Sequence, residues 1–340
     1  MEPLVSVLLP ARNASDHLAG ALESLSAQTL ADIEILAVDD HSDDGGLTRA
    51  LLEAHASRDQ RLRALQSPRR GIAHALNHAA AHARGRYLAR MDADDTCHPR
   101  RLELQAALLE LHPSVDACGC RVAFGGDADL CPGYARHVQW VNSLLTHEAM
   151  SLERFRDAPL AHPSAVFRAA SFARLGGYRQ GPFPEDHELW LRWLEADAVL
   201  AKRPETLLTW NDPPGRLSRT DPRYAPEAFH AMKADYLARW LAACNPHHPE
   251  VWIVGAGRVT RRRAAHLAAR GVRFRAYLDI DPAKIGNRPG GVPVLHHRDA
   301  PRPGEGFVVS YVSQPGAGEA VARMLQSLGH APGRDYLLAG

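Results

Sequence analysis

Short, continuous apolar runs alternate with segments of helical period through the first half of the chain. Val5 to Leu9 is one such run, stopped by Pro10, and Leu18, Leu22 and Leu25 then recur at helical spacing behind Ser15, which can cap the helix. Ile33 to Val38 repeats the strand signature and ends in Asp39 and Asp40; the polar turn His41 to Gly46 leads into a helix through Leu51 and Leu52. Leu62 to Leu65, an alanine-rich helix Ile72 to His82 behind Gly71, and the strand Tyr87 to Met91 continue the series. Strands apolar throughout and joined by helices are buried on both faces, which predicts a doubly wound α/β sheet with ligands beyond the strand carboxyl ends. Asp39–Asp40 and the acidic run Asp92 to Asp95 then share one rim.

The last third changes character. Ala225 to Ala243 predicts a helix with Phe229, Met232, Tyr236 and Trp240 on one side, after which Asn245 to Pro249 breaks the chain. Val251 to Val254 then runs into Gly255, Ala256 and Gly257, an arginine-rich helix, and a strand Phe274 to Leu278 ending in Asp279. This is a βαβ unit with a glycine turn and an acid at the second strand's end, as in dinucleotide-binding folds. Thr260 replaces the third glycine of that fingerprint, so a candidate C-terminal nucleotide site of Gly255, Gly257 and Asp279 rests on an incomplete motif. Arg258, Arg261, Arg262 and Arg263 read either as phosphate or lipid-headgroup ligands or as a solvated helix face. The expected organisation is a first domain over 1–215, a helical linker over 216–248 and a smaller α/β domain over 249–340.

Composition narrows the function classes. With 340 residues, 45% hydrophobic and 23% charged, the chain buries a large core, and its formal net charge of +1 offers no field to recruit nucleic acid. No run approaches the roughly 18 apolar residues of a membrane span, and Met1 to Val5 lacks the basic start of a targeting peptide. The expectation is a cytoplasmic protein with no transmembrane segment and with peripheral membrane association left open. No GxxxxGK[ST] run is present, which excludes a P-loop. The five cysteines form no regular framework and fit reduced, half-buried thiols; Cys118, Cys120 and Cys131 make only a weak zinc pattern.

Candidate chemistry lies in two acidic constellations. Asp92, Asp94 and Asp95 follow a strand, and carboxylates that close repel one another until a divalent cation relieves them. Oxygen ligands alone suit Mg²⁺ or Mn²⁺ carrying phosphates. Asp95 has a second reading, as a cap for the helix opened by Pro99. Glu185 and Asp186 open a helix in which Asp186, Trp190 and Leu194 share a face. A carboxylate at a helix N-terminus is expected to stay ionised and to serve as a general base toward a hydroxyl. Glu185 is either its partner or a first-turn acid without further work.

Taken in order, these motifs over residues 5 to about 210 resemble family 2 glycosyltransferases, inverting enzymes of the GT-A fold that use nucleotide-diphosphate sugars. Val5 to Pro10 with Asn13 is similar to the family's opening strand and turn, and Val38 to Gly45 to its second-strand motif. Gly71, Ala75, Asn77, Ala81, Gly85 and Tyr87 match the approach to the DxD motif, which Asp92, Ala93 and Asp94 supply. His162–Pro163–Ser164 and Gly176–Gly177–Tyr178 precede Glu185–Asp186, which matches the ED motif. The resemblance implies a donor site of Pro10, Ala11, Arg12, Asn13, Asp40, Gly71, Asn77, Asp92, Ala93 and Asp94. Asp40 would contact the base, Asp94 would be the direct ligand of Mn²⁺ or Mg²⁺, and Asp92 would lie nearer the ribose or diphosphate. It further implies Asp186, beside Glu185, as catalytic base, an acceptor side of His162 and Trp190, and an acceptor hydroxyl on a saccharide, a lipid-linked glycan or another molecule. Attack opposite the diphosphate inverts the anomeric carbon without a covalent intermediate. His162 also reads as a packed, hydrogen-bonded histidine.

Two segments depart from the family pattern. Arg12 stands where many relatives carry an aromatic residue, so the base is not identified. In Trp210 to Arg219, Arg216 and Arg219 read either as diphosphate ligands or, with Pro213, Pro214 and Gly215, as parts of a plain loop. The C-terminal segment resembles the small Rossmann-like nucleotide-sugar domain that precedes some sugar acetyltransferases. Two other function classes stay open: an NAD(P)-dependent or nucleotide-sugar modifying enzyme using that βαβ unit, and a noncatalytic nucleotide-binding regulator.

Overall fold

The computed structural model describes residues 2–340 and divides into two compact units. The first comprises the residues to Met150 with Ala158–Gly181 and Ala196–Thr220; the second comprises Ser151–Asp157, Pro182–Glu195 and Asp221–Gly340. The helix Glu185–Glu195 therefore groups with the C-terminal part, because its Leu191 packs into a core with Phe155, Tyr236 and Leu237.

The first unit is built on eight strands: β1 (Val5–Ala11), β2 (Ile33–Asp39), β3 (Leu62–Gln66), β4 (Tyr87–Arg90), β5 (Thr96–Cys97), β6 (Ala117–Phe124), β7 (Val166–Arg168) and β8 (Leu200–Trp210). They lie in the order β3-β2-β1-β4-β7-β6-β8-β5. β3, β2, β1 and β4 are parallel, as the apolar runs predict. β7 is antiparallel to β4 and β6, which makes the sheet mixed. Leu8 of β1 aligns with both Leu36 of β2 and Arg90 of β4, so Asp39–Asp40 and Asp92–Asp95 leave the same carboxyl rim as expected. Pro10 does not end β1: it pairs opposite Val38, beyond the last aligned pair with β4, where its missing N–H costs no ladder bond on that side.

Two helix starts differ from the sequence reading. The helix Leu18–Ser26 has no side-chain cap from Ser15; the chain before it is held instead by the Ala14 N–H donating to Thr48 Oγ1 at 2.8 Å. The helix expected from Pro99 begins at Arg101 and runs to Leu111, its first turn closed by Arg101 N–H on the His98 carbonyl. Such shifts of one or two residues reflect where the first backbone bond can form.

In the second unit the helix Pro226–Cys244 lays Met232, Tyr236, Leu237 and Leu241 into the core. Five parallel strands follow, β9 (Glu250–Val254), β10 (Arg273–Asp279), β11 (Val294–His296), β12 (Val308–Ser310) and β13 (Tyr336–Leu338), in the order β11-β10-β9-β12-β13. That is the order of a Rossmann-like sheet. Among the described residues no helix is long and apolar enough to cross a membrane.

Candidate active site

β4 ends at Arg90, whose fully buried guanidinium ion-pairs with Asp92. Arg101, equally buried, donates to the carbonyls of Arg90 and Pro163, at 2.7 Å in each case. Two buried guanidiniums thus fix the strand end from which the acidic run departs. Asp92, Asp94 and Asp95 bring carboxylate oxygens within 4.8 Å of one another. Burial, and then the charge of Asp92, pushes Asp94 up to about 6. Asp95 is raised well above its ordinary value, by burial first and then by Asp92 and Asp94.

Asp95 does not cap the helix that follows, which has no side-chain cap. Its Oδ1 accepts the Asn211 N–H at 2.8 Å, and its Oδ2 is buried without a hydrogen-bond partner. An orphaned, buried carboxylate oxygen beside two further acids is the environment a divalent cation satisfies, so these residues fit such an ion. Sequence reasoning missed Asn211, whose side chain also donates to the Asp94 carbonyl at 2.7 Å. It arrives through the pairing of Thr96 with Thr209, a contact without a local sequence signal. Gly125 permits the approach: a Cβ there would lie 2.1 Å from Asn211 Oδ1.

Further along the rim, the Asp40 carboxylate accepts the Gly71 N–H at 2.7 Å, and its own N–H donates to the Ala11 carbonyl at 2.8 Å. Burial raises the Asp40 carboxyl, against the pull of that N–H and of Arg12. Asp39 instead turns the chain, accepting from Ser42 N–H at 3.1 Å. Asn13 sits at φ 47°, and its side-chain oxygen accepts the Asp43 N–H at 2.8 Å. Arg12 lies 4.0 Å from Asp43. Pro10, Ala11, Arg12, Asn13, Asp40 and Gly71 are thereby tied into one loop cluster.

Asn77 spends both ends of its amide on the Tyr178 backbone, donating to the carbonyl at 2.7 Å and accepting the N–H at 2.9 Å. Tyr178 OH meets His162 Nε2 at 2.8 Å. Burial, and then Arg90, pushes the His162 imidazole well below its ordinary value, which favours its neutral form. Asn77 and His162 thus form a packed, hydrogen-bonded relay. Trp190, expected on the acceptor side, is fully buried.

In the second unit, Glu185 accepts from Tyr224 OH at 2.7 Å and is itself buried. Asp186 Oδ1 accepts the His187 N–H at 2.8 Å. Against the ionised state expected from its helix position, burial, and then the Glu185 charge, pushes the Asp186 carboxyl up to about 8. Those two effects outweigh the helix N-terminus, whose field is worth at most a kcal/mol or two. A carboxyl titrating there is matched to general-base work near neutral pH.

At the second sheet, Gly255 takes φ 97° and Gly257 precedes the helix Arg258–Ala268. Asp279 Oδ2 accepts the Ala256 N–H at 2.8 Å, while Oδ1 accepts from Ile280 and Asp281. This carboxylate braces the glycine turn. Cys97, Cys118, Cys120, Cys131 and Cys244 are all free thiols. Cys118 and Cys120 are fully rather than half buried, and burial pushes them up to about 12 and about 11, the opposite of what zinc ligation needs.

Comparison with known proteins agrees with this geometry. Residues 6–176 match the family model for "Glycosyl transferase family 2". The putative glycosyltransferase EpsE of Bacillus subtilis is 32% identical over 197 residues, which cover 57% of this chain and 67% of EpsE. The amylovoran biosynthesis glycosyltransferase AmsE of Erwinia amylovora is 29% identical over 60% of this chain and 75% of its own length. Other relatives are longer: the chain spans 27% of Escherichia coli chondroitin synthase. Among solved structures, the Pyrobaculum calidifontis mannosyltransferase PcManGT, in complex with GDP-Man and Mn²⁺, shares the fold at a TM-score of 0.51 and 18% identity, over 80% of this chain and 74% of that one. S. aureus TarS 1-349 in complex with UDP-GlcNAc does so at 0.52 and 17%, over 79% of this chain and 71% of that one. The mixed sheet is therefore a GT-A sheet, and the chain belongs to glycosyltransferase family 2.

Proposed function

We propose that this glycosyltransferase moves a sugar from a nucleotide-diphosphate sugar to an acceptor hydroxyl with inversion, in the biosynthesis of a polysaccharide or related glycoconjugate. The observation that carries the reading is the triad of Asp92, Asp94 and Asp95 at the carboxyl rim, in which one Asp95 oxygen is buried without a hydrogen-bond partner. These residues would hold Mn²⁺ or Mg²⁺, whose chemistry is Lewis-acid stabilisation of the charge that grows on the departing diphosphate. Asp40, fixed by the Gly71 N–H, and the Pro10–Asn13 loop are assigned to the nucleoside. Asp186 is assigned to the acceptor, taking the proton of the attacking hydroxyl, with Glu185 holding the negative charge that strengthens it as a base. PcManGT and TarS are described with GDP-Man and UDP-GlcNAc, which supports a donor of that class. AmsE is described as an amylovoran biosynthesis glycosyltransferase, which supports a role in glycan assembly with a saccharide or lipid-linked acceptor, and buried free thiols agree with a cytoplasmic location.

The test is Asp186→Asn, assayed for nucleoside diphosphate release and for product with a saccharide acceptor panel. The expected outcome is loss of transfer by a factor of at least about 10², with donor affinity retained. Transfer at the wild-type rate would remove Asp186 as the base.

A further inference from the structure

Beyond β8 the chain does not swing free: it is strapped to the helix Pro132–Ser143 by a ladder of alternating charges and rings. Arg216 lies over the Trp210 ring at 5.0 Å and over the Tyr134 ring at 5.3 Å, and Arg219 lies over Tyr134 at 5.0 Å. Tyr134 OH meets Ser218 Oγ at 2.9 Å. The carboxylate of Asp212, whose side chain is only 1% exposed, pairs with both arginines. Gly126 lets Asp212 in, since a Cβ there would lie 2.9 Å from Asp212 Cβ. A guanidinium seated between two rings loses little further freedom when it binds a ligand, and partial desolvation strengthens its attraction to an oxyanion. The Arg216 charge acts on both Asp94 and Asp95, favouring the ionised form of each.

We propose that Tyr134 is a positioning residue for the donor: with Trp210 it forms a slot that presets Arg216 as a ligand for the diphosphate bound at the acidic triad. This rests on the proposed donor reading. Asp212 neutralises only one of the two arginines, so the strap carries a surplus positive charge beside the cluster. The flat guanidinium offers paired donors suited to phosphate oxygens. Tyr134 itself touches no donor atom and acts through Arg216.

The experiment measures, by titration calorimetry with Mn²⁺ present, the affinity of the full chain for UDP, GDP, CDP, ADP and dTDP, and for the matching nucleosides. For the diphosphate that wild type binds, Tyr134→Ala and Arg216→Met are each expected to weaken binding about tenfold, with the nucleoside unaffected. Tyr134→Phe keeps the ring and is expected to bind within about twofold of wild type. The double variant is expected to be no weaker than Arg216→Met alone, because the two residues act as one unit. Thermal unfolding of each variant guards against a folding defect, and Tyr134→Phe serves where Tyr134→Ala is unfolded: a tenfold loss there would place the effect in the hydroxyl and overturn the slot. Additive losses, or wild-type affinity in Tyr134→Ala, would overturn it as well. If wild type binds none of the five diphosphates, the donor reading falls and takes this inference with it; if wild type binds and only the variants are silent, the donor reading stands alone.

Discussion

The clearest consequence of the acidic triad is that it destabilises the metal-free protein, and Asp94→Asn exposes this. Asp94 is pushed from an ordinary 3.8 up to about 6 by burial and by Asp92. A rise of about two pH units corresponds to roughly 3 kcal/mol of folded-state penalty for ionising this one group, at about 1.4 kcal/mol per unit. The repulsion is shared with Asp92 and Asp95, so that figure is a ceiling, and about 1–3 kcal/mol is expected from the substitution. The sign follows from linkage. Below the unfolded value both states hold the proton and there is no penalty; the wild type loses stability as pH rises from about 4 to about 6, and the loss is complete above that. Asp94→Asn should therefore unfold about 3–10 °C above wild type near pH 7.5 without divalent metal, and the gap should close toward pH 4. Differential scanning fluorimetry with EDTA reads it directly. Mn²⁺ should stabilise wild type and leave the variant nearly unmoved. An EDTA-treated variant no more stable than wild type at pH 7.5, or one that Mn²⁺ stabilises equally, would refute the electrostatic account of the triad.

Two further predictions concern other parts of the site. Because burial and Glu185 push Asp186 of the free enzyme up to about 8, its basic form accumulates as pH rises, so kcat/KM should climb through that range and level off above it. Glu185→Gln removes the neighbouring charge and should move that inflection to lower pH; an inflection that stays put would show that Glu185 does not tune the base. Asn77→Ala strips both hydrogen bonds from the Tyr178 backbone and should cost about 1–3 kcal/mol in urea unfolding, whereas a loss within error would show that water replaces the amide.

The first sheet was legible because its strands carry their burial in their composition. Val5, Val7, Leu8 and Leu9 are all fully buried, with Ser6 the one polar side chain among them, hydrogen-bonded to Glu34, and a run this apolar on both faces has one stable home, between helices in a parallel sheet. The register that puts Asp40 and Asp92 on one rim follows from the same parallel pairing. What sequence reasoning could not supply lies in long-range pairing and in competing electrostatics. Asn211 reaches Asp95 across 116 positions, through the antiparallel β5–β8 pair, and nothing local in Trp210 to Arg219 signals it. Asp95 reads as a helix cap by spacing, yet the helix begins too late to use it. Asp186 reads as ionised from its helix position, but burial beside Glu185 outweighs the helix dipole. Asn77 matches a family motif, while its amide is committed to the Tyr178 backbone, a partner 101 positions away.

The central claim is that the rim of the first sheet binds a nucleoside diphosphate only together with a divalent cation. A thermal-shift comparison of wild type and Asp94→Asn, with Mn²⁺ or EDTA, against UDP, GDP, CDP, ADP and dTDP and against NAD(H) and NADP(H), tests it most directly. The account predicts that at least one diphosphate stabilises wild type with Mn²⁺, does so far less with EDTA, and fails with the variant. Stabilisation by a dinucleotide alone, or by a diphosphate equally well with and without the cation, would contradict it.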